Sequence, residues 1–421
     1  MLKKIFTTTA TRILTSIASL GTVTVAARAL GAEGMGTISL FILGISMIQI
    51  IIAWFGGSVL VYMSGKHPLI QLLVPAWIWA LIFSATGSLF LTTLNLAPAE
   101  FSFDLFAVSF LQSVFAINQN IQIGKEKILQ YNLAAISQSA VMLAALAILI
   151  LISPDAQPKS YIQAMYVSFS VAALLSFSGI YKQITPASVF NKQVIKEVFR
   201  FGGYVQTAGI LQLFNYRLSY YLIEKFFDRA TLGVFSIGVQ ISESVWIISK
   251  SIALVQYSRI SNSNDNGYNV RITLEFIRFT AVFTLTVLLL LLLLPGDFFI
   301  FVFRSGFSNI SDVILSISAG IFSVAISLMF SHYFSGSGKP WHNTISSGIG
   351  LIFTVSLGLI LIPKLGITGA GLTSSIAYSA GMIYQLIVFK YMTNAGLRDF
   401  IPGRVDFGRI KALIKDLYSR N

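Results

Sequence analysis

The feature that most constrains this chain is a series of apolar runs, each about 20 residues long, separated by short polar turns. A helix rises about 1.5 Å per residue, so about 20 such residues match the ~30 Å hydrocarbon core of a bilayer. Backbone groups in lipid must be satisfied within the segment, which for a run of this kind means a helix. The runs fall at about 5–29, 37–63, 71–96, 104–123, 131–152, 161–181, 201–223, 231–257, 273–294, 311–334, 344–362 and 369–392. The fold expected is all-α and membrane-integral, with about twelve transmembrane helices. Of the 421 residues 55% are hydrophobic and 11% charged, against about 25% charged in soluble domains, so no soluble domain is expected.

Proline agrees with these boundaries. Pro68, Pro98, Pro154, Pro158, Pro186, Pro295, Pro340, Pro363 and Pro402 fall between or beyond the runs, where a missing N–H does little harm. The opening MLKKIF resembles a signal-peptide n-region. The apolar stretch behind it runs to about Leu30 without a clear cleavage site, so it reads as a retained first span. If the N-terminus is placed in the cytoplasm, Lys and Arg are about threefold more frequent in the inner loops than in the outer ones. An even number of spans then places the C-terminus inside as well.

The longest connection, 182–200, is basic and lies near the midpoint. It divides the chain into an N-terminal six-helix lobe, 1–181, and a C-terminal one, 201–393, followed by a basic tail, 394–421. Val194 to Phe199 reads as a short interfacial helix ahead of the seventh span. In the tail, Phe407, Ile410, Ile414 and Leu417 recur at helical spacing among basic residues, as in a helix lying on anionic lipid. A weak echo links the halves: Gly36 and Ser39, on the turn after the first span, correspond to Gly233 and Ser236 after the seventh. Duplicated halves are common in secondary transporters.

With no cysteine, thiol chemistry and thiolate metal sites are excluded. His67, His332 and His342 are too scattered for a metal cluster, and no cofactor is expected. No loop has the GxxxxGK[ST] pattern that cradles a triphosphate. No carboxylate pair stands at catalytic spacing, and no outer loop is large enough to house an enzyme's chemistry. The reading is a transporter rather than an enzyme. The net charge of +13 fits inner loops facing anionic lipid and equally an anionic substrate.

The candidate site residues are polar groups inside apolar runs, each costing about 2.5–3.5 kcal/mol at a helix centre when charged. Arg12 flanks a hydroxyl stripe, Thr8, Thr11, Thr15, Ser19 and Thr22, which either packs on a neighbouring helix or faces a wet cavity. Arg217 sits mid-span with Asn215 and Tyr220 around it, too deep to snorkel easily. Gln240, Glu243 and Lys250 share one face of the next helix, at i, i+3 and i+10. Together they suggest a cationic cavity with a single acid, suited to a phosphate or a uronate. Glu243 serves equally well as a structural ion-pair partner or as a proton site. Asn118, Gln119, Asn120 and Gln122 end the fourth span, suited to sugar hydroxyls or to neighbouring helices. The serines of the tenth span, Ser316, Ser323, Ser327 and Ser331, read as close helix packing.

LGAEGMG (Leu30 to Gly36) after a Thr/Ser-rich helix, FNYRLSYYLI (Phe214 to Ile223), LGVFSIGVQISE (Leu232 to Glu243) and LIPKLGITGAG (Leu361 to Gly371) resemble polysaccharide repeat-unit (O-antigen) flippases. That family shares a superfamily with the multidrug and toxic-compound extrusion (MATE) transporters and the lipid II flippase. Asn215 and Arg217 match the family's N-x-R-x-D pattern, and Ser219 stands where many members have an acid. The resemblance implies two six-helix bundles around a central cavity that opens alternately to either side. It implies a cargo of undecaprenyl-pyrophosphate-linked oligosaccharide, carried across a bacterial inner membrane for O-antigen or capsule assembly. Membrane lipids and other polysaccharide-assembly proteins are the partners it implies, with no nucleic acid. A MATE-like multidrug or cation exporter driven by an ion gradient is the alternative.

Overall fold

The computed structural model describes residues 2–152, 157–263, 265–401 and 403, with the side chains of 2–9, 204, 205 and 258 excepted. The amphipathic tail expected around Phe407 to Leu417 lies outside the described residues.

Every regular element described is helical. Along the chain these are α1 (Leu2–Gly56), α2 (Val59–Met63), α3 (Leu69–Thr93), α4 (Ser102–Gly124), α5 (Ile128–Ile152), α6 (Pro158–Ser178) and α7 (Lys192–Phe226). They continue with α8 (Arg229–Ser244), α9 (Trp246–Ser261), α10 (Asn266–Leu292), α11 (Gly296–Phe303), α12 (Ile310–Gly336) and α13 (Trp341–Thr393). Among the described residues, eight helices are long and apolar enough to cross a membrane, or nine if the bent pair α8 and α9 counts as one span. The chain is a multi-pass membrane protein.

Two of those helices are far longer than a bilayer is thick: α1 has 55 residues and α13 has 53. Each breaks at one glycine in the left-handed region, Gly31 at φ 69° and Gly366 at φ 59°. That conformation crowds the Cβ of any other residue. The expected turns between the first two and the last two spans are thus single-residue breaks. Each break opens the same motif, Leu-Gly-x-x-Gly-x-Gly, at Leu30 to Gly36 and Leu365 to Gly371.

Three elements differ from the sequence expectation. The interfacial helix and the seventh span are one continuous helix, α7, started by Asn191, whose Oδ1 accepts from the Gln193 and Val194 amides at 3.0 and 3.3 Å. Conversely, the eighth span divides at Val245 into α8 and α9, with a bend of 44°. The stretch after Pro295 holds a short apolar helix, α11, too short to span, where only a loop was expected.

The chain resolves into two compact units. The first comprises 1–237 and 297–310, and the second 238–296 and 311–421. In the first unit, α1 to α6 pack together with α7 laid along the second arm of α1. Trp54 anchors one end of that contact, its Nε1 donating to the Phe199 carbonyl at 3.0 Å and its ring tilted on Phe199. At the other end the first turns of α8 cross α1, and the sequence echo reappears as a contact. Ser39 and Ser236, 197 positions apart, share a hydrogen bond of 2.7 Å. A Cβ on Gly36 would overlap the Arg229 carbonyl, and one on Gly233 would overlap the carbonyl of Ala32. Each member of the echo therefore meets the other's helix at the equivalent place.

In the second unit the core gathers Ile272, Ile277, Met329, Phe330, Tyr333, Phe334 and Phe389. The rings of Tyr333 and Phe389 meet edge-on at 4.8 Å. Serines join α12 to α13: Ser323 lies 2.8 Å from Ser379, and Ser327 donates to Gln385 Oε1 at 2.6 Å. Gln385 passes the chain on to Ser331 at 2.9 Å. The tenth-span serines are packing groups, as their spacing predicts.

Candidate functional site

Helix α7 spans 35 residues, yet it is not among the helices apolar enough to cross a membrane on composition. Gln206, Gln212, Asn215, Tyr216, Arg217 and Ser219 account for this. A helix this polar, packed along a membrane bundle, has a face that lipid does not cover.

Arg217, Asn215 and Tyr220 come together on α7 within the first unit. Arg217 is half-buried, and Asn215 and Tyr220 are buried. One guanidinium nitrogen of Arg217 donates to the Tyr220 hydroxyl at 3.4 Å, and the guanidinium carbon lies 5.3 Å from the centre of that ring. Tyr220 is itself held edge-on against Phe235 at 5.6 Å. One turn away, the Tyr221 hydroxyl donates to Met47 Sδ of α1 at 3.2 Å. The cation is thus placed by the Tyr220 ring, itself fixed against Phe235. A guanidinium stays charged whatever it bonds, and its planar fork of donors matches phosphate and carboxylate.

The other expected residues fall elsewhere. Arg12 is exposed on the first arm of α1. Gln240, Glu243 and Lys250 belong to the second unit, with Gln240 and Lys250 exposed and Glu243 half-buried. A common face for these three presumes an unbroken helix. The break at Val245 puts Lys250 on α9, past the bend from Gln240 and Glu243. There its ammonium lies 5.5 Å from the Trp246 ring, whose Nε1 donates to the Ile321 carbonyl at 2.9 Å.

The family model for polysaccharide biosynthesis proteins matches residues 25–312, more than half of the chain and all of the Arg217 cluster. The chain belongs to the polysaccharide biosynthesis protein family. No curated protein matches it in sequence. Among solved structures, its fold is similar to that of the lipid II flippase MurJ in an inward closed conformation. The TM-score is 0.74 at 16% identity, over 95% of this chain and 89% of that one. It is similar also to an inward-facing multidrug resistance MATE family transporter of the MOP superfamily, at TM-score 0.72 and 13% identity. That match covers 90% of this chain and 94% of the other. A third is a MOP superfamily transporter from Pyrococcus furiosus, described by a reversed polarity of its binding pocket. It matches at TM-score 0.64 and 14% identity, over 93% and 96% of the two chains. This polysaccharide biosynthesis family member therefore has a MurJ- and MATE-like fold.

Within that fold, the amides of the fourth span are structural. Asn118 Nδ2 donates to Ser176 Oγ at 3.1 Å, and Gln122 Nε2 to the Ser176 carbonyl at 2.8 Å, tying α4 to α6. Asn120 donates to the Gly56 carbonyl at 3.0 Å. The hydroxyl stripe of the first span divides between roles. Thr22 bonds back to the Ala18 carbonyl at 2.9 Å. Ser19 and Thr22 also line a cavity of about 150 Å³ with Gln138, Ser139 and Tyr161. The side chain of Thr8 lies outside the described residues. Gln49 is a polar group that periodicity does not single out. Its amide donates to the Ser109 carbonyl and to Ser113 Oγ, both at 2.9 Å.

Proposed function

We propose that this protein is a flippase for undecaprenyl-pyrophosphate-linked oligosaccharide repeat units. It moves them across a bacterial inner membrane by alternating access, for O-antigen or capsule assembly. The observation that carries the reading is a guanidinium, Arg217, placed by Tyr220 on the most polar long helix of a polysaccharide biosynthesis protein. A cargo with a charged pyrophosphate and an acyl tail asks for a cation in the protein and leaves the tail in the bilayer. The lobes are 1–181 and 201–393, counted as twelve spans with both termini cytoplasmic. Arg12, Asn215, Arg217, Tyr220, Gln240, Glu243 and Lys250 contribute to the cargo route, with Arg217 as the principal phosphate contact. No chemistry is performed on the cargo.

The fold is nearly as similar to a MATE transporter as to a lipid II flippase, which makes an ion-driven multidrug or cation exporter the second reading. The two differ in the charge of the cargo. Purified protein in liposomes, loaded with a fluorescent oligosaccharide on undecaprenyl pyrophosphate, should move it between leaflets. The same vesicles should show no uptake of a lipophilic cation under a proton or sodium gradient. Cation uptake without lipid movement would establish the exporter, and a deletion strain with normal surface polysaccharide would remove the flippase.

A further inference from the structure

The second unit contains a cavity of about 690 Å³ formed by the start of α10, the ends of α12 and α13, and a short helical turn, Leu397–Phe400. None of its lining belongs to the α7 cluster. Its volume is in the range of small-ligand sites, about 300–1,000 Å³.

Three cations line it, Arg271, Arg278 and Lys339, against one carboxylate, Asp399. Arg271 and Arg278 are seven residues apart on α10, two turns along one face, so the helix presents both to the same side. Arg278 is fixed to the wall, its Nη1 donating to the Asp399 backbone carbonyl at 2.8 Å. The Asp399 carboxylate is engaged by the Gly396 amide at 2.8 Å, where it closes the turn. Tyr333 adds a hydroxyl to the lining and belongs to the packed aromatic core. Like charges gathered around a concave surface with low-dielectric walls focus a positive potential and attract an anion.

We infer that this cavity binds a phosphate-bearing anion, through Arg271, Arg278 and Lys339. Such an anion is either the headgroup of an acidic phospholipid or a soluble phosphate compound. The inference does not depend on the flippase reading: it concerns different residues, and its test uses no transport. The charge distribution of the sequence assigns this end of the helices to the cytoplasm, where both sources exist.

The test is the melting temperature of the full-length protein in neutral detergent micelles. It is titrated with phosphatidylglycerol in mixed micelles and, separately, with inorganic pyrophosphate. A saturable rise with phosphatidylglycerol identifies a lipid headgroup site, and one with pyrophosphate a soluble-phosphate site. In either case Arg271→Gln with Lys339→Gln should raise the half-saturating concentration by about tenfold or more. The charge-conserving pair Arg271→Lys with Lys339→Arg should keep it within a few-fold. If the double glutamine variant starts from a lowered melting temperature, Lys339→Gln alone, on the half-exposed turn before α13, carries the comparison. The inference is overturned if neither probe gives a saturable rise, or if the glutamine variants respond as the parent does.

Discussion

Helices α4 and α7 both place amides where lipid would penalise them, and both stand out in the sequence for that reason. The outcome differs. On α4, the Asn118, Asn120 and Gln122 NH2 groups donate to α6 and to the end of α1. A serine hydroxyl and backbone carbonyls take up these donors, so the cluster functions as a clasp between helices. On α7, Asn215 accompanies a permanent charge, Arg217, which donates to the Tyr220 hydroxyl and lies against its ring. Polarity within a membrane helix therefore has two meanings. An amide can be neutral cement, whereas a guanidinium keeps a field that an anionic cargo can use.

The largest expected effect separates the two. Arg217→Gln keeps hydrogen-bonding capacity and removes the charge, and transport per folded molecule should fall by about tenfold to a hundredfold, the worth of one charge-assisted contact. Insertion and melting temperature should be unchanged. Arg217→Lys should recover part of the rate, because the charge returns without the planar fork. Asn118→Ala should behave in the opposite way, costing about 1 kcal/mol of stability with an unaltered rate per folded molecule. Denaturation in mixed micelles beside a flipping assay measures both.

A smaller effect concerns the cap of α8. Asp228 accepts from the Thr231 amide at 2.7 Å, and that bond holds its carboxyl below the usual carboxylate range. Asp228→Ala should cost about 1 kcal/mol at neutral pH. A depressed folded-state pKa means the contribution is complete above the unfolded value of about 3.9 and is lost as pH falls through the lower folded value. Asp228→Asn, which caps without titrating, should flatten that acid limb of the stability curve.

Much of the helical layout is legible in the sequence, because apolar runs of bilayer length separated by prolines allow few other structures. Arg217 with Asn215 and Tyr220 is legible too, since depth and residue type are local facts. What is not legible depends on neighbours. The break at Val245 has no proline or glycine to announce it, and it removes the shared face of Gln240, Glu243 and Lys250. The role of Asn118 is set by Ser176, 58 residues away. The echo of Gly36 and Ser39 in Gly233 and Ser236 is visible as a pattern, but nothing in the pattern says that the two copies touch. The 690 Å³ cavity draws on four separate segments and leaves no contiguous motif.

The central claim is that Arg217 meets cargo while Asn118 holds helices together. It is tested most directly by measuring, on the same preparations of Arg217→Gln and Asn118→Ala, the melting temperature and the rate of lipid-pyrophosphate oligosaccharide flipping per folded molecule in liposomes. Arg217→Gln should lose rate at normal stability, and Asn118→Ala should keep a normal rate at lowered stability. An Arg217→Gln protein that is destabilised yet flips at the parent rate per folded molecule would contradict it.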